Sequence, residues 1–191
     1  MKFCFAVLLT AILFSCNNNN EKVAPTSSNK IVEDTSANYF PVTNFLKGDV
    51  LEIKNHATPM RTIIINGKID TTWVQADSMA TAFQEFLEPR IDSANLKKYF
   101  REESFLDKTL GTFTFSYSHR ANITYDFPFI NWDVMIDEES QKIKRIYLVK
   151  KIDATTTKQL TWQAEKWCKM VTISKNKVVK EEKIIWNFAS E

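Results

Sequence analysis

The stretch WQAEKWCKMVTISKNKVVKEEKIIW, residues 162–186, decides the fold. A turn at Lys175-Asn176 sets Trp167 opposite Ile184, Ile173 opposite Val178 and Lys169 opposite Glu182. Each apolar match contributes about 0.2 to 1 kcal/mol, and their agreement in one register is what makes a meander credible. A second turn, centred between Ala164 and Glu165, sets Trp162 opposite Trp167 for either of the even-length loops that share this centre.

The same pattern extends toward the amino terminus. A turn at Glu139-Ser140 sets Trp132 opposite Tyr147 and Ile136 opposite Ile143. Residues 112–119 alternate Phe113, Phe115 and Tyr117 against Thr112, Thr114 and Ser116, as a half-buried strand does. Ahead of Gly111 the apolar spacing is different. Pro41 opens a stretch in which Val42, Phe45, Leu46, Val50 and Ile53 recur at helical intervals. Residues 61–65 and 68–73 flank Asn66-Gly67, a pair that supplies the positive φ values of a type I′ hairpin turn. Asp77 is placed to cap a helix whose stripe is Met79, Ala82, Phe83, Phe86 and Leu87, ended by Pro89. A further short helix is expected over residues 93–100, with Leu96, Tyr99 and Phe100 inward. The expectation is an α+β domain over residues 39–191: an antiparallel β-sheet meander with two or three helices packed on one face. A domain of this size buries roughly 70% of its unfolded surface, so neither a disulfide nor a metal is needed to hold it.

Composition narrows the chemistry. The chain has 191 residues, 44% of them hydrophobic, and a net charge of +2, a balance that favours neither nucleic acid nor an anionic surface as partner. Its three glycines, Gly48, Gly67 and Gly111, are too scattered for a Gly-rich phosphate loop. His56 and His119 are far apart, and cysteines at positions 4, 16 and 168 give no metal-ligand spacing, so no metal or cofactor is expected.

The segment MKFCFAVLLTAILFS places Lys2 ahead of an apolar run over residues 3–14, too short to cross about 30 Å of hydrocarbon and of signal-peptide length. It closes on Leu13-Phe14-Ser15-Cys16, which resembles the lipobox of bacterial lipoproteins, with Phe14 where a small or β-branched residue is commoner. The resemblance implies a signal peptide over residues 1–15, a diacylglycerol thioether on Cys16, cleavage before it and acylation of the new amino terminus. Two or more acyl chains anchor a protein stably where one does not. Residues 16–38 then read as the lipidated cysteine and a tether without aromatic residues, which as a flexible coil spans roughly 25 to 30 Å. Asn17 stands where Asp would signal inner-membrane retention, so the analogy implies the outer membrane. No acidic cluster of the kind some groups use for surface export follows Cys16, which favours a periplasm-facing domain over the cell surface. With Cys4 removed and Cys16 acylated, Cys168 is left as a lone thiol, expected buried and inert.

Catalytic groups are hard to assemble. His119 lies next to Ser118 at an expected strand end, with no small-residue elbow around either. The pairs Glu102-Glu103 and Glu181-Glu182 and the acidic run at 137–139 read as solvated charge in turns and a Lys-rich strand. The distinctive feature is aromatic density at Trp132, Tyr147, Trp162, Trp167 and Trp186. Most of it suits a sheet-on-helix core, while Trp162 and Trp167, beside a hairpin turn, are the candidate ligand-contacting residues. The expected function is a non-enzymatic envelope module that is anchored to the membrane through lipid and binds a protein, glycan or lipid component. The alternative is a carrier sheltering a lipid or other apolar ligand between sheet and helices.

Overall fold

The computed structural model describes residues 39–91, 96–121, 123 and 126–188. The expected signal peptide at 1–15, the lipidated Cys16 and the tether at 16–38 lie outside the described residues, as does most of the first half of the helix expected at 93–100. The chain runs through α1 (Val42–His56), β1 (Met60–Ile65), β2 (Lys68–Trp73), α2 (Met79–Leu87), β3 (Phe100–Asp107), β4 (Thr112–His119), β5 (Phe129–Asp137), β6 (Ile143–Lys151), β7 (Thr156–Gln163), β8 (Trp167–Ser174) and β9 (Lys177–Ile185). The strands form one antiparallel sheet in the order β2-β1-β9-β8-β7-β6-β5-β4-β3. The domain is thus sheet-dominated: β3 to β9 meander without interruption, and the β1–β2 hairpin docks on the free edge of β9.

Several elements follow from the residues as expected. Asn66 at φ 51° and Gly67 at φ 78° make the left-handed turn of the first hairpin, with Ile64 opposite Ile69. Val42, Leu46, Val50 and Ile53 form the buried stripe of α1, and Met79, Ala82, Phe83 and Phe86 that of α2. Asp137, at the turn after β5, accepts from the backbone N–H and hydroxyl of Ser140 and from Lys144 Nζ. These bonds hold its pKa down at about 2.

Others differ, each for an identifiable reason. Ser78, not Asp77, precedes α2, and no side chain caps that helix. Phe100 starts β3 instead of ending a helix, although both Leu96 and Phe100 are buried. In β4 Phe113 is exposed while Thr112 and Thr114 are buried, Thr114 being flanked across the strands by the larger Phe105 and Met135.

Registers near the turns hold and those beyond them slip. Ile173 faces Val178 and Ile136 faces Ile143. An irregularity between Thr172 and Ile173 then sets Trp167 opposite Ile185 and Lys169 opposite Lys183, and another between Met135 and Ile136 sets Trp132 opposite Leu148. The β7–β8 loop is centred on Glu165, whose φ of 64° is left-handed, so Trp162 faces Cys168 and Trp167 faces Gln163. This one-residue shift places Trp162 and Trp167 on opposite faces of the sheet.

One face carries two adjacent buried rows, apolar but for Glu182. The first runs Glu182, Met170, Leu160, Leu148, Trp132 and Tyr117, and the second Ile184, Cys168, Trp162, Ile146 and Val134; all are buried. Phe83 and Phe86 of α2 set their rings edge-on to Trp162, each 5.3 Å between centroids. Glu182 is therefore a correction to the solvated reading of the Glu181-Glu182 pair. Its alternation with Ile184 and Trp186 carries it into the core face, while Glu181 on the other face pairs with Lys169 at 2.8 Å. Cys168 is buried and burial pushes its pKa well above the ordinary thiol value. No helix among the described residues is long and apolar enough to cross a membrane.

Candidate functional site

The last turn of α1, the ends of the β1–β2 hairpin, the start of α2 and the tail after β9 enclose an open groove of about 1290 Å³. Its apolar wall comes from Ile53, Met60, Trp73, Met79, Ile185 and Phe188. The hairpin register puts Trp73 opposite Met60, and Met60 opposite Ile185, so these residues meet in one cross-strand row. Trp73 ends β2, the edge strand of the sheet, and is 59% exposed. Trp186, next in the chain after Ile185, turns its ring into the core, where its indole Nε1–H has no hydrogen-bond partner among the described residues.

The polar side of the groove is acidic. Asp49, Glu52 and Glu165 line it with Lys54 and His56. Asp49 accepts a 2.8 Å hydrogen bond from Trp162 Nε1. Burial raises the pKa of Asp49, the charges of Glu165 and Glu52 add to this, and the Trp162 bond opposes it in part. His56 sits one helical turn from Glu52, with Nε2 3.6 Å from Oε1, both side chains well exposed. Among the described residues no group of three or more His, Cys, Asp or Glu side chains is placed to hold a metal.

The residues singled out by sequence fall apart in space. Trp162 is fully buried, and its ring meets Phe83, Phe86 and Trp186. It reaches the groove through its bond to Asp49, whose carboxylate it positions. Trp167 is half-buried on the opposite face, where Lys183 Nζ stands 5.2 Å from the ring centroid. His119 is not a fully exposed strand end, since its ring packs 4.2 Å from that of Phe100. Ser118 Oγ accepts from Arg101 Nε at 3.2 Å, a partner that is no base.

Asp49 went unnoticed in the sequence, although it lies between Leu46 and Ile53 in the phase of the buried α1 stripe. A carboxylate at such a spacing is a sequence signal for a charge brought to an interface. Comparison with known protein families, curated proteins and solved structures finds no match to this chain.

Proposed function

We propose that this protein is a lipid-anchored, non-enzymatic binding module of the bacterial envelope whose groove takes a short polypeptide segment with basic and apolar side chains. In this reading the domain is α+β, with both helices on one face of the sheet and acylated Cys16 holding it to the outer membrane on the periplasmic side. The observation that carries it is the groove itself. Its lining combines an exposed Trp73 and other apolar side chains with three carboxylates, Asp49, Glu52 and Glu165, against one lysine, Lys54. Such a lining complements cationic and apolar side chains together. Binding is assigned to the open groove and not to an internal cavity because Trp132, Trp162, Trp186, Phe83 and Phe86 fill the space between sheet and helices.

Peptides selected on the full chain from an unbiased display library test this reading. The selected sequences are expected to combine Lys or Arg with aromatic or aliphatic residues. Trp73→Ala is expected to weaken them about 30-fold, the scale of a central aromatic anchor, and Glu165→Lys to weaken them in proportion to their positive charge. Selected peptides that are acidic, or that bind both variants as well as the parent, contradict it. The anchor is tested separately by mass spectrometry of the amino terminus from the native host, where an unmodified Cys16 contradicts it.

A further inference from the structure

Away from the groove, the helix-facing side of the sheet carries a row that ordinary sheet chemistry disfavours. Lys150 lies directly opposite Lys158, Lys158 opposite Thr172, and Thr172 opposite Lys180, so lysines crowd one cross-strand row. Facing like charges repel, and such violations of local rules concentrate at functional sites. Two carboxylates are set among these cations. Glu85 of α2 accepts from Lys150 Nζ at 2.8 Å through Oε2 and from Lys158 Nζ through Oε1. Glu182 accepts from Arg61 Nε at 2.6 Å, and its other oxygen lies 2.8 Å from Lys180 Nζ. Each carboxylate thus serves two cations, and the cluster retains an excess of two positive charges. These cations are partly withdrawn from water: the side chains of Lys150, Lys158 and Arg61 are 14%, 24% and 31% exposed.

Between α2 and β7, β8, β9 and β1 this cluster leaves a pocket of about 190 Å³, whose polar lining includes Arg61, Lys158, Lys180, Thr172 and Gln84 together with the two ion-paired carboxylates, Glu85 and Glu182. A water molecule occupies about 30 Å³ in the liquid, so there is room for a tetrahedral oxyanion and a few waters, and none for a nucleotide or an acyl chain. Donors remain unspent. Arg61 commits Nε to Glu182, and its two terminal nitrogens have no recorded partner among the described residues. Lys158 and Lys180 each commit one bond to a carboxylate and carry three N–H donors. We propose that this pocket binds a dianionic oxyanion of phosphate size, either free or as the terminal group of a phosphomonoester. Lys158, Lys180 and the terminal nitrogens of Arg61 hold it, and its two charges cancel the excess. The site is separate from the groove, and neither proposal depends on the other.

Calorimetric titration of the full chain with inorganic phosphate at pH 8, at constant ionic strength, tests the proposal. Saturable one-to-one binding is expected, with acetate and dimethyl phosphate, both monoanions, at least tenfold weaker. Lys158→Gln is expected to weaken phosphate at least tenfold, and Glu85→Gln, which removes a competing carboxylate, to tighten it several-fold. Methyl phosphate distinguishes the source: binding as tight as that of phosphate assigns an esterified group, and exclusion assigns the free anion. If Lys158→Gln does not fold, the direction of the Glu85→Gln change decides. Absence of saturable binding to both phosphate and methyl phosphate overturns the proposal. So does a Glu85→Gln variant that folds and binds no more tightly than the parent.

Discussion

The groove at Asp49 and the pocket at Glu85 are built from similar residues with opposite outcomes. Each has a partly buried helix carboxylate meeting the same face of the sheet. Asp49 receives a neutral indole N–H and has Glu52 and Glu165 nearby, so burial prevails and its pKa rises. Burial also acts to raise the pKa of Glu85, but hydrogen bonds from Lys150 and Lys158 outweigh it and hold the pKa below the ordinary value. The difference lies in the cations: burial raises the pKa of both carboxyls, and the lysines bonded to Glu85 outweigh it there. Asp49 is shifted up by burial in spite of the Trp162 bond, while Glu85, bonded to Lys150 and Lys158, is shifted down.

That contrast can be broken by substitution, and the largest effect is expected at Glu182. Arg61→Ala leaves a buried carboxylate with Lys180 as its remaining cation and should destabilise the domain by about 1.5 to 3 kcal/mol in denaturant unfolding. A loss below about 1 kcal/mol would mean that the pair is effectively solvated. Glu85→Gln should cost about 1 kcal/mol at neutral pH, since the Glu85 side chain is 34% exposed and its ion pairs are screened. The cost should depend on pH. The folded pKa of Glu85 is lowered, so its contribution is present above the ordinary value of 4.5 and is lost as pH falls through the folded value. The two unfolding curves should therefore converge in acid.

Asp49→Asn is expected to have the smallest effect, of opposite sign. Asn keeps an acceptor for Trp162 Nε1 and removes the charge that burial penalises, so the variant should gain on the order of 0.5 kcal/mol at neutral pH. The folded pKa is raised, so the parent loses stability as pH rises from the ordinary 3.8 through the folded value and is unaffected below it. The gain should vanish below that window. A variant less stable than the parent at pH 7 would contradict the assignment.

The turns and the helix stripes were legible in the sequence because they depend on neighbours in the chain. Asn66-Gly67 fixes its hairpin locally, and the Ile173–Val178 match next to a turn survives. The registers farther out were not legible. A bulge at Thr172/Ile173 and a left-handed Glu165, a residue that rarely adopts that conformation, each shift the pairing by one residue without a glycine to mark the place. Strand β3 is an edge strand with no consistent burial alternation, so it carries no period to detect. The sites were harder to read than the fold. Lys150, Lys158 and Lys180 come together through strand pairing across three hairpins, which local spacing does not encode. Glu182 and Asp49 each stand in phase with buried neighbours, a signal that outweighs the usual exposure of a charged residue.

The opposite bias of the two sites is tested most directly by a pH titration of the side-chain carboxyl carbons by NMR on the full chain. Asp49 is expected to titrate above the ordinary 3.8, and Glu85 below the ordinary 4.5. Shifts in the same direction for both carboxyls, or no shift in either, would contradict the claim that the lysines bonded to Glu85 separate the pocket from the groove.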